Sequence, residues 1–262
     1  MKSNLKLFFI LTFIISWSIW GIGLLFPSEL GFAFFPLGVL GPAIAAMIIS
    51  YRNKNLKQLL SSLKPHNIPL LWLILMLVTA PLAMIIPLLY FPAIGDKIPL
   101  SFIFELVPIN FNPWFVIPLL PIIFPLLMIG NLGEEIGWRG FAIEKLGKKH
   151  GYLLGSIILG VINAIWHTPL YWLICNPIYN PLSLMFLGFL LFEIGYTIFS
   201  TTMFLKNRKS IYVGLVVHTS VTIGSLFLPT WGYLVPIMVS GILMIMFSLV
   251  HHVRIFKLEL VE

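Results

Sequence analysis

Leu5–Phe26 reads LKLFFILTFIISWSIWGIGLLF, a run whose only charged side chain is Lys6. At 1.5 Å per helical residue, about 20 apolar positions cross the roughly 30 Å of a bilayer's hydrocarbon, so this run reads as a transmembrane helix. It follows Lys2 and Lys6 in the manner of a secretion signal. It is, however, long for a signal's apolar core and lacks a small-residue cleavage pattern, so it is expected to be retained. Its apolar residues are continuous rather than alternating, which argues against a membrane barrel. Working outward, similar runs lie near 33–50, 69–91, 114–133, 152–174, 182–205, 211–228 and 232–250, about eight spans in all.

The composition agrees. Hydrophobic residues make up 59% of the 262 positions and charged residues 10%, well above the apolar share of a soluble domain. The single cysteine, Cys175, excludes an internal disulfide, a cysteine-rich zinc module and a CxxC redox pair. The net charge of +7 is spread over short connectors and forms no stripe, which favours anionic membrane lipids over nucleic acid as its partner. The expected fold is all-α: a polytopic helical bundle forming a single membrane domain over 1–262. No internal repeat, low-complexity tract, Walker motif or dinucleotide motif interrupts it.

The connectors orient this bundle. With a cytoplasmic N-terminus, the loops near 51–68, 134–150 and 206–210 and the C-terminal tail are cytoplasmic too. They and the N-terminus hold 15 of the 16 basic residues, leaving Lys97 outside. That asymmetry follows the positive-inside rule. Both termini are therefore expected in the cytoplasm, in a multi-pass protein of the cell membrane.

Ionisable groups inside such a bundle are expensive and mark functional sites. The densest cluster is Gly133-Glu134-Glu135-Ile136-Gly137-Trp138-Arg139-Gly140. On a helix Glu135 and Arg139 stand i,i+4 with the acid first, the favourable order for an ion pair. Glu134 is rotated about 100° away, so one carboxylate is held while the other is left to act as a general base. The plainer alternative is a charged helix end in a wet loop. Two histidines weigh against it: His167, within Asn163-Ala164-Ile165-Trp166-His167, and His218, within Val217-His218-Thr219-Ser220-Val221-Thr222, each lie inside an apolar span. His66, His150, His251 and His252 fall in or beside connectors, where solvation is the default. Glu193, within Phe192-Glu193-Ile194-Gly195, is a further intramembrane acid, read as a neutral acid or a partner of the site. Trp138 and Trp166 read as packing groups, and Gly151, Gly155 and Gly160 as close-packing positions.

These motifs resemble the CPBP intramembrane proteases, the family of type II CAAX prenyl endopeptidases and bacterial Abi (bacteriocin-processing and immunity) proteins. Glu134, Glu135 and Arg139 match its Glu-Glu-x-x-x-Arg motif. His167 matches the histidine of Phe-x-x-x-His, with Asn163 in place of the Phe. His218 matches the histidine of His-x-x-x-Asn/Asp, with Thr222 in place of the amide or acid. The resemblance covers about residues 115–225 as a catalytic core.

It implies an intramembrane endopeptidase acting near the cytoplasmic leaflet on a CAAX-type, bacteriocin or other peptide or protein substrate, lipidated or not. Glu134 would activate water, alone with His167 or sharing a metal ion with it. Glu135 and Arg139 would hold the helix and its charge. His218 and Thr222 would steady the oxyanion. Were a divalent metal such as zinc present, Glu134, His167 and His218 would be its ligands. The chain has no H-E-x-x-H helix, and the reading leans away from an obligatory metal. Two other readings stand beside this one: a non-proteolytic bacteriocin-immunity or peptide-binding protein, and a proton-coupled transporter, the latter disfavoured by the lack of a repeat.

Depth adds a constraint. If the fifth span starts near Gly151, His167 lies about 24 Å along it. Glu134 reaches that depth only if the fourth helix continues through the motif towards Gly147, with Lys145, Lys148 and Lys149 snorkelling to the cytoplasmic side. Pro118, Pro121 and Pro125 are expected to kink or delay that helix on its outer half.

Overall fold

The computed structural model describes residues 4–64, 68–89, 94, 120–173, 180–227 and 234–252, and among them the regular elements are all helical. In order they are α1 (Leu5–Gly23), α2 (Phe34–Val39), α3 (Gly41–Arg52), α4 (Leu56–Ser61) and α5 (Leu70–Ile85). Next come α6 (Leu120–Gly137), a π-helical turn (Trp138–Ala142), α7 (Ile143–His150) and α8 (Tyr152–Trp166). The last three are α9 (Leu184–Lys206), α10 (Ile211–Phe227) and α11 (Leu234–His252). Single turns at Ser28–Gly31 and Leu170–Leu173 and a 3-10 turn at Ile86–Leu89 complete the list.

Each expected span thus holds helix. Four stretches, Leu5–Gly23, Phe34–Arg52, Tyr152–Leu173 and Leu184–Lys206, are long and apolar enough to cross a membrane. Leu70–Met84, Ile211–Gly224 and Leu234–Val250 are shorter apolar helices. Positions 114–119 and residues His66, Lys97 and Cys175 lie outside the described residues.

One expectation is corrected. The 134–150 segment, counted as a connector when the basic residues were allotted to loops, is continuous helix through α6, the π turn and α7. Arg139 is accordingly buried, at 1% exposure, and belongs to the core rather than to a cytoplasmic loop. The physical reason is the absence of a breaker: Phe141-Ala142-Ile143-Glu144-Lys145-Leu146 carries the helix on, and the next φ-positive residue along the chain is Gly151 at 77°. That glycine makes the turn into α8, a backbone shape that costs other residues a Cβ clash; it is a hinge in the chain path rather than a packing position. Of the prolines, Pro121 sits in the opening turn of α6 and Pro125 inside it.

Two flanking helices hold α6 in place: α3 on one side and α10 on the other, while α9 packs against α8, α10 and α11. The α6–α3 approach is set by small residues. A Cβ on Gly133 would press the backbone at Val39 and Leu40, and one on Gly137 would overlap Pro42. These i,i+4 glycines let backbones approach as in small-xxx-small membrane contacts.

Gly137→Ala is therefore expected to lower stability by about 1–3 kcal/mol through overpacking. Gly130→Ala, where an added Cβ meets nothing within 4 Å, should be neutral or stabilise by about 0.5–1 kcal/mol. Thermal unfolding of both variants in detergent checks the contrast.

Candidate active site

Two helical arms of matched length meet at the site. Glu134 lies 16 residues before the end of α7 at His150, and His167 lies 16 residues after Gly151. At 1.5 Å per residue each arm carries its side chain about 24 Å from the turn, so the two arrive at the same depth. The helix that carries Glu134 does continue through its motif, as the depth argument requires.

The densest chemistry gathers on one oxygen of Glu135, a residue with 0% exposure. Its Oε1 accepts from Arg139 Nη1 at 3.0 Å, from the Tyr196 hydroxyl at 3.1 Å and from His218 Nδ1 at 2.9 Å. These partners come from the π turn, α9 and α10. The i,i+4 pair read from the sequence is present, and the Arg139 guanidinium also lies over the Tyr196 ring, with Cζ 4.7 Å from its centroid. Gly214 on α10 leaves room for this cluster, because a Cβ there would meet Glu135 Oε2. A carboxylate can only accept, so His218 carries a proton on Nδ1 and turns its Nε2 edge away from Glu135.

Glu134 faces elsewhere, as its rotation on the helix demands. It is buried, with 6% exposure, and its Oε2 accepts from Trp138 Nε1 at 3.2 Å. Trp138 therefore does more than pack: it is the residue that holds the free carboxylate. Its ring also stands edge-on to Trp166, centroid to centroid 5.6 Å, and Trp166 in turn lies 4.7 Å from the His167 ring. His167 closes α8, with Nδ1 2.9 Å from the Asn163 carbonyl. A carbonyl only accepts, so His167 carries a proton on Nδ1.

The two departures from the family pattern have partners. Asn163 Nδ2 donates to Glu193 Oε2 at 2.7 Å, both buried, tying α8 to α9. Glu193 lies within electrostatic range of Glu134, His167 and His218. Thr222 donates its hydroxyl proton to the His218 carbonyl at 3.0 Å, and its oxygen accepts from Asn131 Nδ2 at 3.2 Å. The same amide also reaches Thr219 Oγ1 at 3.3 Å. An amide thus braces the His218 segment through Thr219 and Thr222, supplied by α6 instead of α10.

Asn131, Tyr196 and the Trp138 indole were missed by motif reading. Only Asn131 carried a sequence signal, its i,i+3 spacing to Glu134 on one helix face. As to a metal, no group of three His, Cys, Asp or Glu side chains among the described residues is placed to hold one. Glu134, His167 and His218 as they stand do not form such a set.

Comparison with known proteins falls on the same residues. The family model described as "Type II CAAX prenyl endopeptidase Rce1-like" matches residues 114–224, which contain every motif position above. A curated relative, CAAX prenyl protease 2 of Methanococcus maripaludis, is 30% identical over 231 residues, spanning 83% of this chain and 82% of its own.

Removing one partner of the Glu135 cluster should cost far more than a surface ion pair. Arg139→Met leaves a buried carboxylate uncompensated, at about 3–5 kcal/mol. The double variant Glu135→Gln/Arg139→Met is expected to recover a large part of that loss. Thermal midpoints of the two variants in detergent decide it: equal destabilisation would contradict the burial argument.

Proposed function

The chain belongs to the Rce1-like family of type II CAAX prenyl endopeptidases, and on that premise we propose that Glu134 activates the water with which it cleaves a CAAX-type, lipidated peptide or protein. The observation that carries this reading is the division of labour between adjacent acids. Glu135 is spent on Arg139, Tyr196 and His218, whereas Glu134 accepts from Trp138 and lies in electrostatic reach of His218 and Arg139.

The steps follow from those groups. Glu134 takes a proton from water as the oxygen attacks the scissile carbonyl carbon. The π electrons of that carbonyl move onto its oxygen, where a proton on His218 Nε2 donates to the developing charge. Asn131, whose two amide N–H groups reach Thr219 and Thr222, braces the His218 helix from α6. The carbon–nitrogen bond then breaks, and the departing nitrogen receives the proton held by Glu134, giving a carboxylate product and a free amine. His167, carried to the same depth on α8, orients the water beside Glu134. No step calls for a metal ion.

The reaction is placed near the cytoplasmic leaflet of the cell membrane, on the side marked by Lys145, Lys148 and Lys149. Membrane lipids surround the bundle and the lipidated cysteine of the substrate shares their phase.

With the full chain in liposomes and a quenched, farnesylated CAAX peptide, Glu134→Gln is expected to lower kcat by about 10²–10⁴-fold with folding intact. Asn131→Ala, which releases the brace on Thr219 and Thr222 and so misplaces His218, should lower kcat by up to roughly 10²-fold with little change in KM. Full activity in Glu134→Gln would dismiss Glu134 as the base. An unlipidated peptide cleaved as well as the farnesylated one would dismiss the lipidated substrate class.

A further inference from the structure

A cavity of about 400 Å³ opens towards the far end of the motif helix, beside Gly140, Glu144 and Lys148. That is within the ~300–1,000 Å³ range of pockets that hold small organic ligands. Glu134, His167 and His218 take no part in its lining. Its wall includes Ser50 and Phe204, each two residues from the end of a membrane-length helix, Phe34–Arg52 and Leu184–Lys206. The cavity therefore sits at the level where hydrocarbon gives way to headgroups.

Its charge is unbalanced. Lys145, Lys148 and Lys209 line it with a single carboxylate, Glu144. That acid is already engaged: its Oε1 lies 3.3 Å from Lys209 Nζ and accepts from the Tyr152 hydroxyl at 3.3 Å, while Lys209 also donates to Tyr152 at 2.8 Å. Burial opposes the charge on Lys209, yet Tyr152 and Glu144 outweigh it and hold the ammonium above its ordinary value. Lys145 has no such support. Burial, then the neighbouring Lys148, pushes its ammonium below the usual lysine value despite Glu144. It stands 3.8 Å over the Phe141 ring. Among the described residues neither Lys145 nor Lys148 has a carboxylate within 4.0 Å.

The remaining lining supplies hydrogen-bonding groups: Gln58, Ser62 and Asn55. Asn55 Oδ1 is buried and makes no hydrogen bond among the described residues. The turns that bring Asn55 and Lys209 to the cavity carry, among the described residues, the three non-glycine residues with φ in the left-handed region, Lys54 at 58°, Arg208 at 57° and Lys209 at 55°. Such backbone is costly unless surrounding structure requires it.

Unpaired ammonium groups call for an anion, and a buried acceptor calls for a donor. A basic cavity between helices at the cytoplasmic headgroup level suits an acidic lipid. We propose that this cavity binds the phosphate of an anionic headgroup, with Lys145 and Lys148 on the phosphate oxygens and Asn55 accepting from a headgroup hydroxyl. This site lies outside the proposed catalytic reading and does not depend on it. Phosphatidylglycerol, which carries both phosphodiester and hydroxyl, is the probe of choice.

The test uses the full chain purified in neutral detergent. Retained lipid is counted by native mass spectrometry after exposure to phosphatidylglycerol, phosphatidylcholine or inorganic phosphate. Phosphatidylglycerol should be retained over phosphatidylcholine, and Lys145→Gln/Lys148→Gln should weaken that retention roughly tenfold. Lys145→Arg/Lys148→Arg should restore it. Lys6→Gln/Lys64→Gln, which removes the same charge outside the cavity, should leave it unchanged. Inorganic phosphate bound with the same lysine dependence, and no preference between the two lipids, would keep the phosphate site but assign it to the soluble ion. Retention of phosphatidylglycerol by the Gln pair at the level of the unmodified chain would overturn the site. Thermal midpoints of each variant separate lost binding from lost folding.

Discussion

One buried carboxylate oxygen organises this protein. Glu135 Oε1 is shared by a guanidinium, a phenol and an imidazole from three different stretches of chain. An ionised acid in a dry interior is tolerated only when its neighbours compensate it, so the π turn, α9 and α10 must meet there. Their meeting fixes the rotation of α6 about its axis, and with it the direction of every other side chain on that helix. Glu134 is turned from the cluster for this reason alone, and Asn131, one turn earlier, is brought beneath the His218 segment. The buried pair contributes specificity of arrangement more than net stability, because replacing such pairs by apolar groups is often neutral.

The π turn at Trp138–Ala142 belongs to the same constraint. π turns are rare and collect at functional sites. Here the segment holds one partner of each acid, Trp138 for Glu134 and Arg139 for Glu135. An irregular turn inside lipid would strand backbone groups, but this one is covered: Trp138, Arg139, Phe141 and Ala142 are all buried. Beyond it the helix resumes to His150, and lysines at its last turn complement the carbonyl end of the helix dipole. Gly151 then reverses the chain, and the equal lengths of the two arms bring His167 back to the depth of Glu134.

Much of this was legible from residue order. Apolar runs located a helix in each expected span, and i,i+4 spacing predicted the Glu135–Arg139 pair. Helix arithmetic required the chain to stay helical past Arg139. The counting of basic residues by loop failed at Arg139 because composition cannot tell a buried cation from a solvated one. Tyr196 and Trp138 were invisible for another reason: a phenol or indole in an apolar span is ordinary packing unless a charge lies opposite, and what lies opposite is a tertiary fact. Glu193 was seen as an intramembrane acid, but its partner was not, since Asn163 stands 30 positions away.

Asn163 and Thr222 show how such departures can be absorbed. Each side chain finds a partner on a facing helix, although Asn163 Oδ1 is buried without one among the described residues. Where the family carries an aromatic ring, the amide of Asn163 finds the buried Glu193, so a polar group introduced on α8 is matched by an acid on α9. Where the family carries an amide or acid on α10, the shorter Thr222 draws in Asn131 from α6. In both cases the replacement is made across a helix interface, and polar groups inside a bundle must find such partners because lipid offers none. The relevant unit for judging this site is therefore the pair of facing positions. A motif read along one helix registers two losses; the same residues read across the interfaces brace the His218 segment and place an acid within electrostatic reach of His167.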